Sequence, residues 1–305
     1  MQRREFLLAS LFQDSPSPSV PGSTLVHEHV LVDFAGVKST AQYDVREVLA
    51  LARPKLEELK RFGCVRFLDC SPIGLGRNPR LLKALEDSTG LEIWTNTGVY
   101  GAVKRVAVPA YAYTESASQL ARRWIAEAAN GIDGVKPRFI KTAVLDFPLD
   151  DLDRKLIEAA AMTSLTTGLT ISSHTNGGGR AAEAQLEILN RLKCPTSKFV
   201  WVHAQNEKDH AFHQRIARAG AWVEFDGISE KSAAWHRECV LYMKDQRLLG
   251  QTLISQDAGW YHVGEPHGGD YRGYTYIYSG FLPQIPRDDW KTLLVDNPRR
   301  AFTKP

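Results

Sequence analysis

The sequence predicts an α/β fold and, within that class, a single-domain (β/α)8 TIM barrel. Three observations predict it. Eight short β-branched or apolar runs alternate with longer stretches of helical period along 305 residues. No Gly-rich dinucleotide fingerprint follows the first run, which argues against a nicotinamide-binding open sheet. No composition break or long linker divides the chain, so one domain is expected over 21–305, after a leader or tail at 1–20.

The first predicted strand, TLVHEHV (24–30), carries two histidines one residue apart. Side chains at i and i+2 share a face, so His27 and His29 are expected to project together, with Val26, Glu28 and Val30 on the other face. CVRFLDC (64–70) is the second strand; about 20 Å of extended chain separates Cys64 from Cys70, too far for a disulfide. LEIWTNTGVY (91–100) is the third and ends at Tyr100. RFIKTAV (138–144), the fourth, points Lys141 into a barrel interior, where an unpaired ammonium is very costly. LTISSHT (169–175) and FVWVHA (199–204) end in His174 and His203. AWVEFDG (221–227) is the seventh, and TLISQDA (252–258) closes the set with Asp257. Between strands, DVREVLALARPKLEELKRFG, TESASQLARRWIAEAANG and GGGRAAEAQLEILNRLK repeat apolar residues every three or four positions and often close at Gly.

Composition is that of an ordinary globular chain, 43% hydrophobic and 24% charged with net charge +3. The basic residues are scattered, which disfavours nucleic acid and points to a small-molecule partner. No run approaches the eighteen or so apolar residues of a transmembrane helix. MQRREFLLAS resembles a short twin-arginine export leader, which would direct the chain to the periplasm; a disordered tail on a cytoplasmic protein is the alternative.

Barrels of this class build their chemistry at the C-terminal strand ends. Four of the nine histidines, His27, His29, His174 and His203, fall at those ends with Lys141 and Asp257. Any one of them could be a hydrogen-bonded wall residue, and Asp257 could simply cap the next segment. A metal accounts for the set. Imidazole nitrogens and a carboxylate suit zinc or a similar ion. A protonated lysine offers no lone pair, so Lys141 joins only if carbon dioxide converts it to an anionic carbamate.

The His-x-His, Lys, His, His, Asp order at successive strand ends resembles the phosphotriesterase family of the amidohydrolase superfamily, over nearly the whole chain after the leader. The resemblance implies two divalent metal ions. His27, His29 and Asp257 would hold one and His174 and His203 the other, bridged by carboxylated Lys141 and a hydroxide. The hydroxide would attack the substrate, with Asp257 the first proton acceptor. No GxSxG elbow offers a serine route. Two positions depart from family members with a proton relay: Asn206 stands where an acid follows the strand 6 histidine, and Gly227 where a basic residue follows the strand 7 Asp. The relay is absent or rebuilt, with Glu207 or His262 as substitutes.

Tyr100 matches lactonase-like members, where phosphotriesterases proper carry tryptophan, and the connection after strand 7 is short. The expected substrate is therefore a lactone or carboxylic ester. Phosphotriester hydrolysis at the same centre and a catalytically silent metal- or ligand-binding barrel are the alternatives. Trp260, Tyr261 and His262, in the Gly- and aromatic-rich stretch after strand 8, are expected to line the pocket with Tyr100, while Tyr271 to Tyr278 pack that stretch down. The resemblance also implies that a homodimer is possible. His210, His213 and His236 lie in charged helical stretches and are expected to be solvated, and His267 sits in a Gly-rich loop. Asn176 with Gly177 to Gly179 reads as a helix start.

Overall fold

A computed structural model describes residues 18–302. The leader reading falls mainly on residues outside these. The order is β1 (Ser23–Val32), α1 (Val45–Leu59), β2 (Cys64–Asp69), α2 (Pro79–Thr89), β3 (Glu92–Trp94), β4 (Asn96–Thr97), α3 (Ala110–Thr114), α4 (Ala117–Asn130), β5 (Phe139–Val144) and α5 (Asp151–Thr167). There follow β6 (Ile171–Thr175), α6 (Gly178–Arg191), β7 (Phe199–Val202), α7 (His210–Arg218), β8 (Trp222–Phe225), α8 (Ala233–Asp245), β9 (Thr252–Ile254), β10 (Gly259–His262), α9 (Arg287–Lys291) and α10 (Asn297–Phe302). The helices begin where the sequence supplies side-chain acceptors for their free N–H groups: Asp44, Asn78, Asp150 and Asp209 cap α1, α2, α5 and α7, and Ser116 with Gln119 forms a capping box on α4.

All strand pairs are parallel and form two arcs, β10-β1-β2-β3 and β4-β5-β6-β7-β8-β9. The arcs share two interrupted strands. The third predicted strand divides at Thr95 into β3 and β4, and the eighth divides around Asp257 into β9 and β10. Joined through these, the ring closes as the predicted eight-stranded barrel. Close backbone approach at both junctions requires glycine. Gly98 has φ +116° and a Cβ there would lie 2.1 Å from the Lys141 carbonyl oxygen; Gly259 has φ +97° and its Cβ would lie 1.8 Å from that of His29.

The barrel interior is packed by Val26, Leu68, Phe139, Val200, Trp222 and Leu253, with Phe302 of the last helix among them. The larger apolar layer lies between strands and helices. Val26 corrects the simple alternation expected of the first strand. The pairing of β1 with β2 slips between Leu25 and Glu28, so β1 carries an extra residue, and Val26 and His27 both turn inward. All four cysteines are free and buried. Among the described residues no helix is long and apolar enough to cross a membrane.

Candidate metal centre

The six predicted ligands come together at the C-terminal end of the barrel. His27 and Lys141 are 1% exposed and His29 5%. The Lys141 Nζ lies 3.2 Å from His27 Nε2, its one hydrogen-bond partner among the described residues. His203 Nε2 lies 2.6 Å from His174 Nδ1. Asp257 Oδ1 is 3.1 Å from His29 Nε2 and 3.8 Å from His27 Nε2. His203 and Asp257 both adopt positive φ, 64° and 50°, which turns the chain out of the ladder as each side chain enters the site.

Each of three imidazoles meets an acceptor on its Nδ1 side. His27 Nδ1 is 2.7 Å from Glu224 Oε1, and His203 Nδ1 is 2.5 Å from Asp226 Oδ1. His29 Nδ1 is 2.8 Å from Ser71 Oγ; because that hydroxyl donates to the Leu31 carbonyl, it must accept from the ring. The three rings are thereby fixed with Nδ1 protonated and Nε2 lone pairs turned inward. This is the outer support that metal-binding histidines require. Asp257 Oδ1 is buried without a hydrogen-bond donor, and the Nε2 atoms of His29 and His27 face it at 3.1 and 3.8 Å. That donor set fits divalent cations. Asp226 also lies near His27 and His203, but its oxygens already accept from the His203 ring, the His203 backbone N–H and Gln205 Nε2, which makes it a support and not a ligand.

Electrostatics favour neutral rings at His27 and His174. Burial, and then the Lys141 ammonium, push the His27 imidazole down to about 4. Burial and the facing His203 ring hold His174 well below the usual histidine range. Burial also acts to lower His203, but the Asp226 carboxylate beside it prevails and raises it. Asp257 is held far below the carboxylate range; burial opposes this, and His27 and His29 overcome it.

Residues 14–302 match the family model described as the Phosphotriesterase family. The chain belongs to the phosphotriesterase family. The phosphotriesterase homology protein of Escherichia coli is 25% identical over 292 residues, covering 92% of this chain and 98% of that one. An aryldialkylphosphatase of Saccharolobus solfataricus is 26% identical over 218 residues, 70% of this chain and 68% of that one. A double mutant of the organophosphorus hydrolase of Deinococcus radiodurans superposes with TM-score 0.83 at 25% identity, covering 92% of each chain. The α/β class, the TIM barrel and the single domain agree with that match. Buried His/Asp clusters consistent with the binuclear site of the family identify a metal-dependent hydrolase.

Around the centre of this phosphotriesterase-family chain, Tyr100 is 5% exposed, and its hydroxyl lies 3.0 Å from His174 Nδ1. Burial raises that phenol, which stays protonated. The Trp260 ring sits 4.7 Å from His29 and 5.3 Å from Phe34, and its indole N–H donates to the Asp257 carbonyl. His262 stacks on the outer side of Trp260. Tyr261 departs from expectation. Residues 259–262 form a strand and not a loop, so alternation turns Tyr261 away from Trp260 and His262, and its hydroxyl donates to Glu47 on α1. Glu207 binds the Gly179 N–H at the start of α6 and does not replace the relay.

His213 and His236 also depart from expectation. Both are buried: His213 Nε2 donates to the Ala204 carbonyl and His236 Nε2 to that of Asp226. They prop the turns that carry His203 and Asp226. Glu28, turned away from the ligands, is buried and accepts the N–H groups of Gln256 and Ala258, which clamps the backbone on both sides of Asp257.

Proposed function

We propose that this chain hydrolyses a lactone or carboxylic ester at a two-metal centre held by His27, His29, Lys141, His174, His203 and Asp257. The observation that carries this reading is the convergence of His27 and His29 Nε2 on the unpaired Asp257 oxygen, beside the His203–His174 pair, with His27, His29 and His203 each backed by an acceptor at Nδ1. Bound there, two divalent cations, zinc by the preference of the donor set, would supply Lewis acidity and an acidified water at neutral pH. Lys141 takes part as its carbamate, which removes an ammonium that the described residues leave without a carboxylate partner.

Asp257 receives the proton of the attacking water, since its free oxygen faces the site. Glu28 and Trp260 hold the Asp257 backbone so that this oxygen does not drift. Tyr100, protonated and beside His174, can donate to an oxygen of the substrate as charge develops there. Trp260, Phe34 and His262 form an aromatic wall at the mouth that orients an acyl group and excludes water. Tyr100 at the end of the third strand, with the short connection from Asp226 to α8, favours lactones. The similarity to an aryldialkylphosphatase supports a second reading, phosphotriester hydrolysis at the same centre.

The test is a direct comparison of an acyl lactone, an aryl ester and an aryl phosphotriester on zinc-loaded protein. A lactone or ester kcat/KM at least tenfold above that of the phosphotriester supports the proposal; the reverse order favours the second reading. No turnover of any of the three, with metal bound, would identify a silent barrel and refute both.

A further inference from the structure

The fourth imidazole of the centre is turned the opposite way from the other three. His27, His29 and His203 meet their supports at Nδ1, whereas His174 places Nδ1 inward, 2.6 Å from His203 Nε2, and turns Nε2 toward Asn176 Oδ1 at 2.8 Å. An amide oxygen only accepts, so Nε2 carries the ring proton and Nδ1 keeps its lone pair. The Tyr100 hydroxyl lies 3.0 Å from Nδ1 and 3.2 Å from Nε2, too evenly placed to select either atom. Asn176 meets Nε2 alone and does select. Because His203 Nδ1 donates to Asp226, His203 Nε2 also bears a lone pair. Two lone pairs then face each other across 2.6 Å, an arrangement that a cation shared by both rings would stabilise.

The sequence supplies this partner locally. Asn176 follows His174 by two positions, just beyond the end of β6, so the alternation that turns His174 inward carries Asn176 to the same side. Asn176 is exposed, but the turn that bears it is pinned. Glu207 Oε2 accepts the Gly179 N–H at 3.0 Å, while its Oε1 accepts the N–H groups of Lys208 and Asp209 at 2.8 and 2.9 Å. Glu207 itself closes the short helical turn after His203, its N–H donating to the Ala204 carbonyl. One carboxylate thus ties the turn after His174 to the turn after His203, the two histidines proposed to share an ion.

We infer that Asn176 is the positioning residue of His174: it accepts the Nε2 proton and so holds the Nδ1 lone pair opposite His203 Nε2. Glu207 acts through it by fixing the turn. This inference rests on the two-metal reading above, and it assigns Asn176 no contact with the reacting atoms.

The experiment titrates zinc against a competing chelator in wild type, N176A, N176S and N176D, with urea unfolding of each chelated chain alongside. Wild type should take up two ions. N176A should bind one of them about tenfold more weakly and the other within about threefold of wild type; the loss sits at the low end for an outer partner because water reaches an exposed position and replaces part of the bond. N176S, whose hydroxyl stops short of Nε2, should match N176A, and N176D, which keeps an acceptor there, should restore the affinity. Heteronuclear NMR of the histidine-labelled, zinc-loaded wild type should show His174 protonated at Nε2 and His27, His29 and His203 at Nδ1. Two ions bound as tightly in N176A and N176S as in wild type, or a His174 ring protonated at Nδ1, would overturn the role of Asn176 and leave the two-metal centre standing. Equal weakening of both ions, not restored in N176D, would also overturn it, as the mark of a general prop. Fewer than two ions in wild type would overturn the two-metal reading and this role with it. If N176A fails to fold, N176S and N176D decide by the same comparison.

Discussion

Asp226→Asn tests the support of the metal centre most directly. In the native site Asp226 Oδ1 lies 2.5 Å from His203 Nδ1 and 2.9 Å from Gln205 Nε2, and Oδ2 accepts the His203 N–H at 2.9 Å. An amide cannot accept at both ends. With its NH₂ toward the ring it faces two donors, and relief requires His203 to move its proton to Nε2, where the lone pair is needed. Turned the other way, the NH₂ opposes the His203 backbone N–H. Either arrangement leaves a buried donor unsatisfied at a cost of about 1–3 kcal/mol, and losing the outer partner of a metal-binding histidine lowers affinity about 10- to 100-fold. That factor equals about 1.4–2.7 kcal/mol at 25 °C, the same range reached from the hydrogen bonds. The assay is zinc affinity by chelator competition at neutral pH, paired with urea unfolding of the chelated protein. Zinc binding within threefold of wild type, in a variant of unchanged stability, would refute the assignment of Asp226 as a support.

Other outcomes follow from the same geometry. Elemental analysis of protein purified without chelator should give near two ions per chain, with most of that lost in Lys141→Ala; one ion or none, indifferent to the substitution, would remove Lys141 from the centre. Burial, opposed by its bond to Ala204, pushes the His213 imidazole down to about 4 from 6.5. Between those values the unfolded chain binds more protons, so stability should be fully present above pH 6.5 and fall by up to about 3 kcal/mol as pH drops toward 4. Urea midpoints for chelated wild type and His213→Gln should converge at the acidic end, and parallel curves would count against it. Gly259→Ala forces φ +97° on an L side chain and a Cβ into the His29 carbonyl, a loss of about 3 kcal/mol or more that thermal melts will show. Trp260→Ala should raise KM several-fold for an acyl substrate, and a change confined to kcat would move Trp260 from the substrate wall to Asp257 support.

The convergence of the six candidate ligands was legible because strand alternation and strand ends are local properties: a histidine pair at i, i+2 and a lysine within an apolar run declare an inward face before any partner is known. The same rule applied to WVEFD puts Glu224 in β8 and Asp226 just beyond its end on one inward face, two positions apart. What was not legible depends on neighbours. The slip that turns Val26 inward is set by β2, and no feature of TLVHEHV announces it. Tyr261 was misplaced because residues 259–262 gain their strand character only by pairing with β1. His213 lies three and four residues before Ile216 and Ala217, a buried helical stripe, and the charges around it hid that spacing.

The break in the eighth strand has a further consequence. On one side of Asp257 the chain hydrogen-bonds to β8, and on the other to β1, where the Asp257 N–H donates to the His27 carbonyl and the His29 N–H to that of Ala258. The seam that shuts the ring and the pairing of His27 with Asp257 are thus one event, joining residues 230 positions apart in the chain. In the proposed centre an unclosed chain would part His27 and His29 from Asp257, so cation uptake would report closure of the ring. A cation that waits for that step stabilises the finished barrel without offering a foothold to partly folded forms.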